Sequence, residues 1–590
     1  MLQKWKHVEA RLKETHKFWF ALTGGILFVA ACIAALLFVY EVGFEQGRTY
    51  HRSIANFDFI FLSFYFLGTT FRIYLDWITK SRRITLLEFG VYGILFLNMF
   101  LIFVMDTALL DQTMVMAIFG VELSKYSFDL DKLKLSPTLI FVVSFAVVIL
   151  VGSILLMLPN SGQKEGGIRF LDALFTATSA TTVTGLAVLD TQKDFTTFGQ
   201  TIILLLIQIG GLGMMTFTSF FGIFFKSSSS FQNTLLVKDY VGADTTSEAF
   251  KFVVKIVVFT LAIEFVGFLF LFFFTNTGFL KADEHLFFCI FHSISAFCNA
   301  GFSTLSSGLY DINVRFNYGL QMTIALLIVA GGIGFPIMFN VYAYSKHFIQ
   351  KKIRYFFYRE KFVNKAWVIN LNTAIVVYTT LILLVVGTVL FFIFEKDNTL
   401  AEHRTLWGKL VGAFFGGVTP RTAGFNTVDM GALTVPTLLI TMLLMWIGGS
   451  PASTGGGIKT TSFAVSMLNI VSAARNAFRI DIAGRTVEEK SIHKAFAIIM
   501  LSFMVMGLST FLLACFEPDK NFLHLAFEVF SAYCTVGLSV NLTGSLSDAS
   551  RIVLILTMFL GRVGTLSLMI ALLRQATTIF YNYPKENIMT

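Results

Sequence analysis

Charge is scarce in this chain. Acidic and basic residues make up 14% of 590 positions, while 55% are hydrophobic. A water-soluble protein carries about 25% charge, so the composition excludes an ordinary soluble domain. Cysteine is scarce as well: Cys32, Cys289, Cys298, Cys515 and Cys534 never occur as Cys-x-x-Cys. That excludes a metal site by spacing and leaves a disulfide framework unsupported. No histidines, cysteines or acids cluster at a catalytic spacing, so the chain is read as a non-enzyme with no resident cofactor. The net charge of +9 is read as basic cytoplasmic loops rather than as a nucleic-acid surface.

Long apolar runs are what the chain has in excess. Residues 138–158 contain no charge and suffice to cross about 30 Å of hydrocarbon. Comparable runs recur to the end, so a multi-pass integral membrane protein is expected. The basic segment 1–17 is followed by an apolar stretch at 18–41. It is longer than a signal core and has no small-residue cleavage site, so it is read as a retained first helix. Further spans are expected at about 54–78 and 84–105, with a shorter crossing near 107–121. Segment 344–366 holds Lys346, Lys351, Lys352, Arg354, Arg359, Lys361 and Lys365 against Glu360, and 475–494 holds Arg475, Arg479, Arg485, Lys490 and Lys494. Positive loops face the cytoplasm, and the basic N-terminus belongs with them.

Internal repeats organise the rest. Four segments share a glycine followed by Leu or Phe: TVTGL at 182–186, CNAGF at 298–302, TAGFNT at 422–427 and CTVGLS at 534–539. Their glycines, Gly185, Gly301, Gly424 and Gly537, lie 116, 123 and 113 residues apart. Each is preceded by an apolar span (138–158, 252–275, 366–394, 492–515) and a shorter segment (168–182, 285–298, 403–420, 521–534). Each is followed by a second span (201–225, 319–343, 436–473, 551–575). This pattern predicts an all-α membrane fold of four helix–pore loop–helix repeats around one pore, plus three or four N-terminal helices. A second series, GGLG (210–213), GGIG (331–334), GGSP (448–451) and GRVG (561–564), keeps a regular offset and is read as close helix packing.

The chemistry of such loops suits a monovalent cation. Backbone carbonyls replace the hydration shell without a fixed charge that traps the ion, and glycine permits the dihedrals that aim them inward. The expected ion contacts are the backbone oxygens of Val183, Thr184 and Gly185; Asn299, Ala300 and Gly301; Thr422, Ala423 and Gly424; and Thr535, Val536 and Gly537. Any one glycine alone reads as a turn. Four at a constant period read as a filter.

Only the third repeat shows an interrupted second span in the sequence. GGSPASTGGGIKTT at 448–461 is too rich in glycine for an ordinary helix, and irregular backbone inside a bilayer must line a cavity. A phosphate-binding loop is excluded because Ile458 separates Gly457 from Lys459. Gly448, Gly449, Ser450, Pro451, Ser453, Thr454, Gly455, Gly456, Gly457 and Lys459 are read as a gate, with a passive hinge as the plainer alternative. Arg562 lies inside the last span and is read as an electrostatic barrier or a clamp on the gate. Arg421 braces the third loop or snorkels to the surface, and Glu264 is expected to be paired within the bundle. Asp172 and Glu528 lie early in the short segments, as mouth charges or as plain helix-dipole partners.

These motifs resemble the Trk/Ktr/HKT superfamily of potassium transporters, and specifically its KtrB-type membrane subunit. The resemblance rests on the four glycine loops, QIGGLG at 208–213, GGSPASTGGGIKTT and LGRVG, and covers roughly 138–575. It implies potassium uptake across a bacterial plasma membrane by a homodimer with one pore per subunit. It also implies an intramembrane gate loop faced by Arg562 and a cytosolic nucleotide-binding regulatory ring of the KtrA/TrkA type. That ring would dock on 344–366, 475–494 and the C-terminus. The expected divisions are an N-terminal membrane extension at 1–137, which the common KtrB pattern lacks, and repeats at 138–250, 251–365, 366–490 and 491–590. A sodium-selective or sodium-coupled secondary transporter is the alternative, because the filter neighbours do not by themselves distinguish potassium from sodium.

Overall fold

A computed structural model describes residues 2–44, 60–71, 74, 115, 118–119, 122, 137–164, 166–224, 246–275, 281–358, 371–451, 453–476, 479–482, 485–564 and 569. The expected span at 84–105, most of that at 107–121 and about half of that at 54–78 lie outside them. The chain divides into two compact units: Met1–Leu133 with Met157–Ile168 and Ser219–Phe231, and Lys134–Leu156 with Arg169–Thr218 and Gln232–Thr590. In the first unit, helix Leu2–Gly43 packs Leu27 and Ala31 with Phe61, Leu62, Tyr65 and Ile118. Tyr65 donates to Glu122 at 2.6 Å.

The second unit repeats one grammar. Leading helices run Pro137–Leu156, Thr246–Phe274, Leu371–Glu395 and Glu489–Phe516. Short helices follow at Phe170–Thr181, Ala282–Cys298, Leu406–Val418 and Phe522–Tyr533. With 12, 17, 13 and 12 residues they are about 18–26 Å long, too short to cross the hydrocarbon. Trailing helices begin at Thr197, Tyr318, Val435 and Asp548. Leading helices keep large apolar side chains such as Phe265, Phe273, Leu381 and Met504 exposed, as lipid-facing surfaces do. The short helices are mostly buried. Besides helices, the described residues hold a two-residue ribbon, Asp481–Ile482 against Arg485–Thr486, inside the basic segment 475–494.

The repeats close head to tail. The trailing helices of repeats two, three and four pack on the short helices of repeats three, four and one. Gly211 of the first trailing helix lies against Cys298 of the second short helix. Polar ties follow the same order: Ser306 donates to Gln192 at 2.9 Å, Arg315 to Glu402 at 3.2 Å and Asn541 to Asp429 at 3.3 Å. Arg551 donates to Asp172 at 2.7 Å, so Asp172 is a structural partner joining repeats four and one. Glu264, 5% exposed, accepts from Gln208 at 3.1 Å, which is the paired role expected of it.

Close approach explains one glycine series. A Cβ on Gly210, Gly331 or Gly561 would overlap the carbonyl oxygen of Thr181, Phe297 or Tyr533, each at the end of a short helix. Only glycine lets the helices meet there. The sequence shows one interrupted trailing span, but the structure breaks a second. Tyr318–Ile333 and Phe335–Lys346 meet at 102°, because Gly334 takes φ 88° and Pro336 has no N–H to continue the helix onto Gly332 O. The last trailing helix stops likewise at Gly564, φ 83°. By contrast, helix Thr197–Phe224 continues through Gly213.

Gly561→Ala is therefore expected to prevent recovery of folded, monodisperse protein in detergent. Gly507→Ala, where a Cβ would meet nothing within 4 Å, should leave thermal stability unchanged or raise it by up to about 1 kcal/mol of helix propensity. Size-exclusion chromatography of the detergent extract checks the first variant, and thermal unfolding of the solubilised protein checks the second.

Candidate functional site

Each short helix ends in a loop with the same backbone. Val183, Asn299, Thr422 and Thr535 take φ of 56°, 61°, 69° and 49°, and Gly185, Gly301, Gly424 and Gly537 take 93°, 71°, 76° and 91°. The residue between each pair is not left-handed. Alternating the backbone hand turns neighbouring peptide groups toward one side of the chain. For β-branched Val183, Thr422 and Thr535 the left-handed region costs about 1–2 kcal/mol each. Such strain persists only where the surroundings over-determine it.

The short helices supply that support. Thr184, Ala300 and Val536 donate their N–H to the carbonyls of Ser179, Ser295 and Ser531 at 2.8, 2.8 and 2.9 Å, and Ala423 to Thr419 at 3.0 Å. The same four residues add their hydroxyls. Ser179 and Ser531 accept from Gly185 and Gly537 N–H, both at 3.0 Å. Ser295 and Thr419 donate to Phe302 and Phe425 carbonyls at 2.8 and 2.5 Å. These braces were missed in reading the sequence, yet they left a signal: a hydroxyl residue six positions before three of the glycines and five before Gly424.

All four loops converge. A Cβ on Gly185 would overlap the Ala300 carbonyl oxygen, one on Gly301 that of Ala423, one on Gly424 that of Val536, and one on Gly537 that of Thr184. The relation runs one, two, three, four and back to one, a closed ring of glycines separated by 113–123 residues in sequence. On one side of the ring lies a cavity of about 540 Å³, which the four glycines line together with Asp190 and Asp429. Neither lysine nor arginine contributes to it among the described residues.

Segment 448–459 lies at the opposite end of the loops. A Cβ on Gly455 would overlap Thr422 Oγ1, and one on Gly456 would overlap Thr535 Oγ1. Repeats two and four touch the segment directly, and repeat one is joined to it through Arg562. From repeat two, the carbonyls freed by the break at Gly334 accept: Gly332 O from Ser450 N at 3.0 Å, Gly331 O from Thr454 N at 3.4 Å, and Ile333 O from the Ser450 hydroxyl. From repeat four, Arg562, 5% exposed, donates to Thr454 O and at 2.7 Å to Gly210 O of repeat one. Arg421, 7% exposed, donates to Gly448 O at 3.4 Å. Arg421 is therefore buried against the segment and does not snorkel. Lys459 Nζ donates to Gly455 O at 2.5 Å. Gly449, Ser453 and Gly457 fold within the segment, and Pro451 turns outward to a second cavity.

Glu528 is fully buried in the fourth short helix and accepts from Ser539 and Thr543 hydroxyls at 2.5 and 2.6 Å. It is thus neither an exposed mouth charge nor a simple dipole partner.

Four helix–short helix–helix repeats with strained glycine loops on one axis define a multi-pass membrane transport protein. The family model of the TrkH cation transport proteins matches residues 108–577, and the chain belongs to that family. It is 36% identical over 465 residues to the Ktr system potassium uptake protein B of Vibrio alginolyticus, covering 78% of this chain and 96% of the relative. The potassium/sodium uptake protein NtpJ of Enterococcus hirae is 33% identical over 463 residues, covering 77% and 97%. Among solved structures, the potassium transporter TrkH of Vibrio parahaemolyticus shares the fold with a TM-score of 0.57 at 17% identity, covering 88% of this chain and 98% of that one.

Removing a brace leaves a buried N–H unpaired, at a cost of about 1–3 kcal/mol. Ser179→Ala and Ser531→Ala should each lower the melting temperature of the solubilised protein, while Ser179→Thr, which keeps the hydroxyl, should lower it less.

Proposed function

We propose that this chain carries potassium into the cell through a pore on the axis of the four repeats, with the carbonyls of residues 183–185, 299–301, 422–424 and 535–537 as its ion ligands. The closed ring of four glycine loops carries the reading. Rings of backbone carbonyls dehydrate an alkali cation without binding it too tightly. Two further observations support it. The cavity above the ring is lined by Asp190 and Asp429 and, among the described residues, by no basic one. Below the ring, buried Thr535 Oγ1 has no hydrogen-bond partner among the described residues, which leaves its lone pairs available to coordinate a cation.

In this reading segment 448–459 is the gate. Its glycines fill the space under Thr422 and Thr535, and Arg562 holds it by the Thr454 carbonyl. Opening breaks that bond. The repeats divide at 138–250, 251–365, 366–490 and 491–590, behind the extension at 1–137. The chain works as a homodimer in a bacterial plasma membrane with its N-terminus in the cytoplasm. A regulatory ring that binds nucleotide docks on the basic segments 344–366 and 475–494. The printed name of the Enterococcus hirae relative joins sodium to potassium, so the second reading is a sodium-selective or sodium-coupled carrier.

Expression in a host without its own potassium uptake tests both. Growth at low potassium and rubidium uptake should be restored, and Gly185→Ser or Gly537→Ser, whose added side chain crowds the neighbouring loop carbonyl, should abolish uptake at unchanged membrane expression or weaken the preference for potassium over sodium. Failure of both outcomes removes the pore reading; sodium-dependent, saturating uptake favours the carrier. Arg562→Gln should raise rubidium uptake at unchanged expression if it holds the gate shut.

A further inference from the structure

Behind the ring, two buried titratable side chains occupy matching places in two of the four repeats. His292 is fully buried in the second short helix, and its ring lies 4.0 Å from that of Phe288. Its Nδ1 faces the Phe288 carbonyl at 2.9 Å, so Nδ1 donates, and neutral Nε2 accepts from the Ser303 hydroxyl at 2.8 Å. Glu528 accepts through Oε1 from Ser539 Oγ at 2.5 Å and Val540 N at 3.1 Å, and through Oε2 from Thr543 Oγ1 at 2.6 Å. Three donors meet its two oxygens, so both are engaged by the loop. Both residues precede their glycine by nine positions, and both hold the serine two positions after it.

The other two repeats lack this tie. Thr176 turns its hydroxyl to the Asp172 carbonyl in its own helix at 2.9 Å, and the residue two past Gly185 is Ala187. The third short helix offers Phe415 and Gly416 at the matching place. In the ring order one, two, three, four, the tied repeats two and four stand diagonally opposite. The glycine backbone is four-fold, and its outer bracing is two-fold.

We propose that His292 and Glu528 are positioning residues for ion selectivity, setting the width of the ring's outer rim through Ser303 and Ser539. The proposal rests on the pore reading above. A carbonyl ring discriminates against a smaller cation to the extent that it does not contract around it. A tie from a rigid, buried helix to each of two opposed loops resists contraction across the diagonal. A tie on adjacent loops would let the ring skew instead.

The test is competition against rubidium uptake in the complemented host, read as the ratio of sodium to potassium concentrations that halve it. Ser303→Ala and Ser539→Ala should each lower that ratio about fivefold, equivalent to about 1 kcal/mol at 1.4 kcal/mol per tenfold, with maximal rate held within about twofold. His292→Phe, which keeps the aromatic packing, and Glu528→Gln should act the same way. His292→Phe combined with Ser303→Ala should be no worse than the worse single change. Thr176→Val, at the untied place, should leave the ratio alone. An unchanged ratio in both serine variants overturns the proposal, as does an equal fall in Thr176→Val. Should His292→Phe or Glu528→Gln fail to reach the membrane, the serine variants decide alone. Gly537→Ser in the same assay separates the two readings. If it abolishes uptake or alters the ratio while the serine variants leave the ratio unchanged, only the positioning role fails. If it too is silent, the pore reading fails with it.

Discussion

The rest of the repeat region depends on one constraint: left-handed backbone must be held at four places around a single axis inside a membrane. Left-handed φ is unfavourable for Val183, Thr422 and Thr535, and unpaired peptide groups are intolerable away from water. Both difficulties are met by the short helices, whose last turn takes up the loop N–H groups with Ser179, Ser295, Thr419 and Ser531. Burying those helices requires long helices on either side, packed so closely that Gly210, Gly331 and Gly561 have no room for a side chain. The exposed apolar faces of the leading helices are what remains to meet lipid.

Symmetry holds where the ring is built and fails where something else is done. Below the ring, one trailing helix is interrupted by an irregular segment between Trp446 and Thr460, and its neighbours adapt to it. Repeat two breaks at Gly334 and releases three carbonyls, repeat four contributes Arg562, and repeat one contributes the Gly210 carbonyl to that guanidinium. A buried guanidinium is costly unless its donors are occupied. Arg562 has one terminal nitrogen on Thr454 O and the other on Gly210 O, while its Nε has no partner among the described residues; losing Thr454 would free a second donor, which links the charge to the position of the segment.

Much of the architecture was legible beforehand. The four-fold period, the short helices and the interrupted third span follow from glycine spacing and the lengths of apolar runs. The paired state of Glu264 was also anticipated. Other features were not. GGIG in repeat two looks like GGLG in repeat one, yet only Gly334 takes positive φ and bends its helix, while the helix through Gly213 continues. Asp172 and Glu528 look alike as acids in short helices. One pairs with Arg551 at a seam between repeats, and the other disappears into a web of hydroxyls behind a loop. Propensity and periodicity describe a residue's own segment and say nothing of which neighbour will face it.

By itself, the sequence determined that the chain crosses a membrane, that it does so in four related units, and that each unit presents one glycine where backbone can turn toward an axis. Those properties are written in composition, period and the conformational freedom of single residues, all short-range. Only the tertiary structure decided the head-to-tail order that closes the ring, the carbonyls left free for the third repeat's insertion, and the diagonal placement of His292 and Glu528. These depend on contacts between residues a hundred or more positions apart, where the outcome is set by which helices fit against one another.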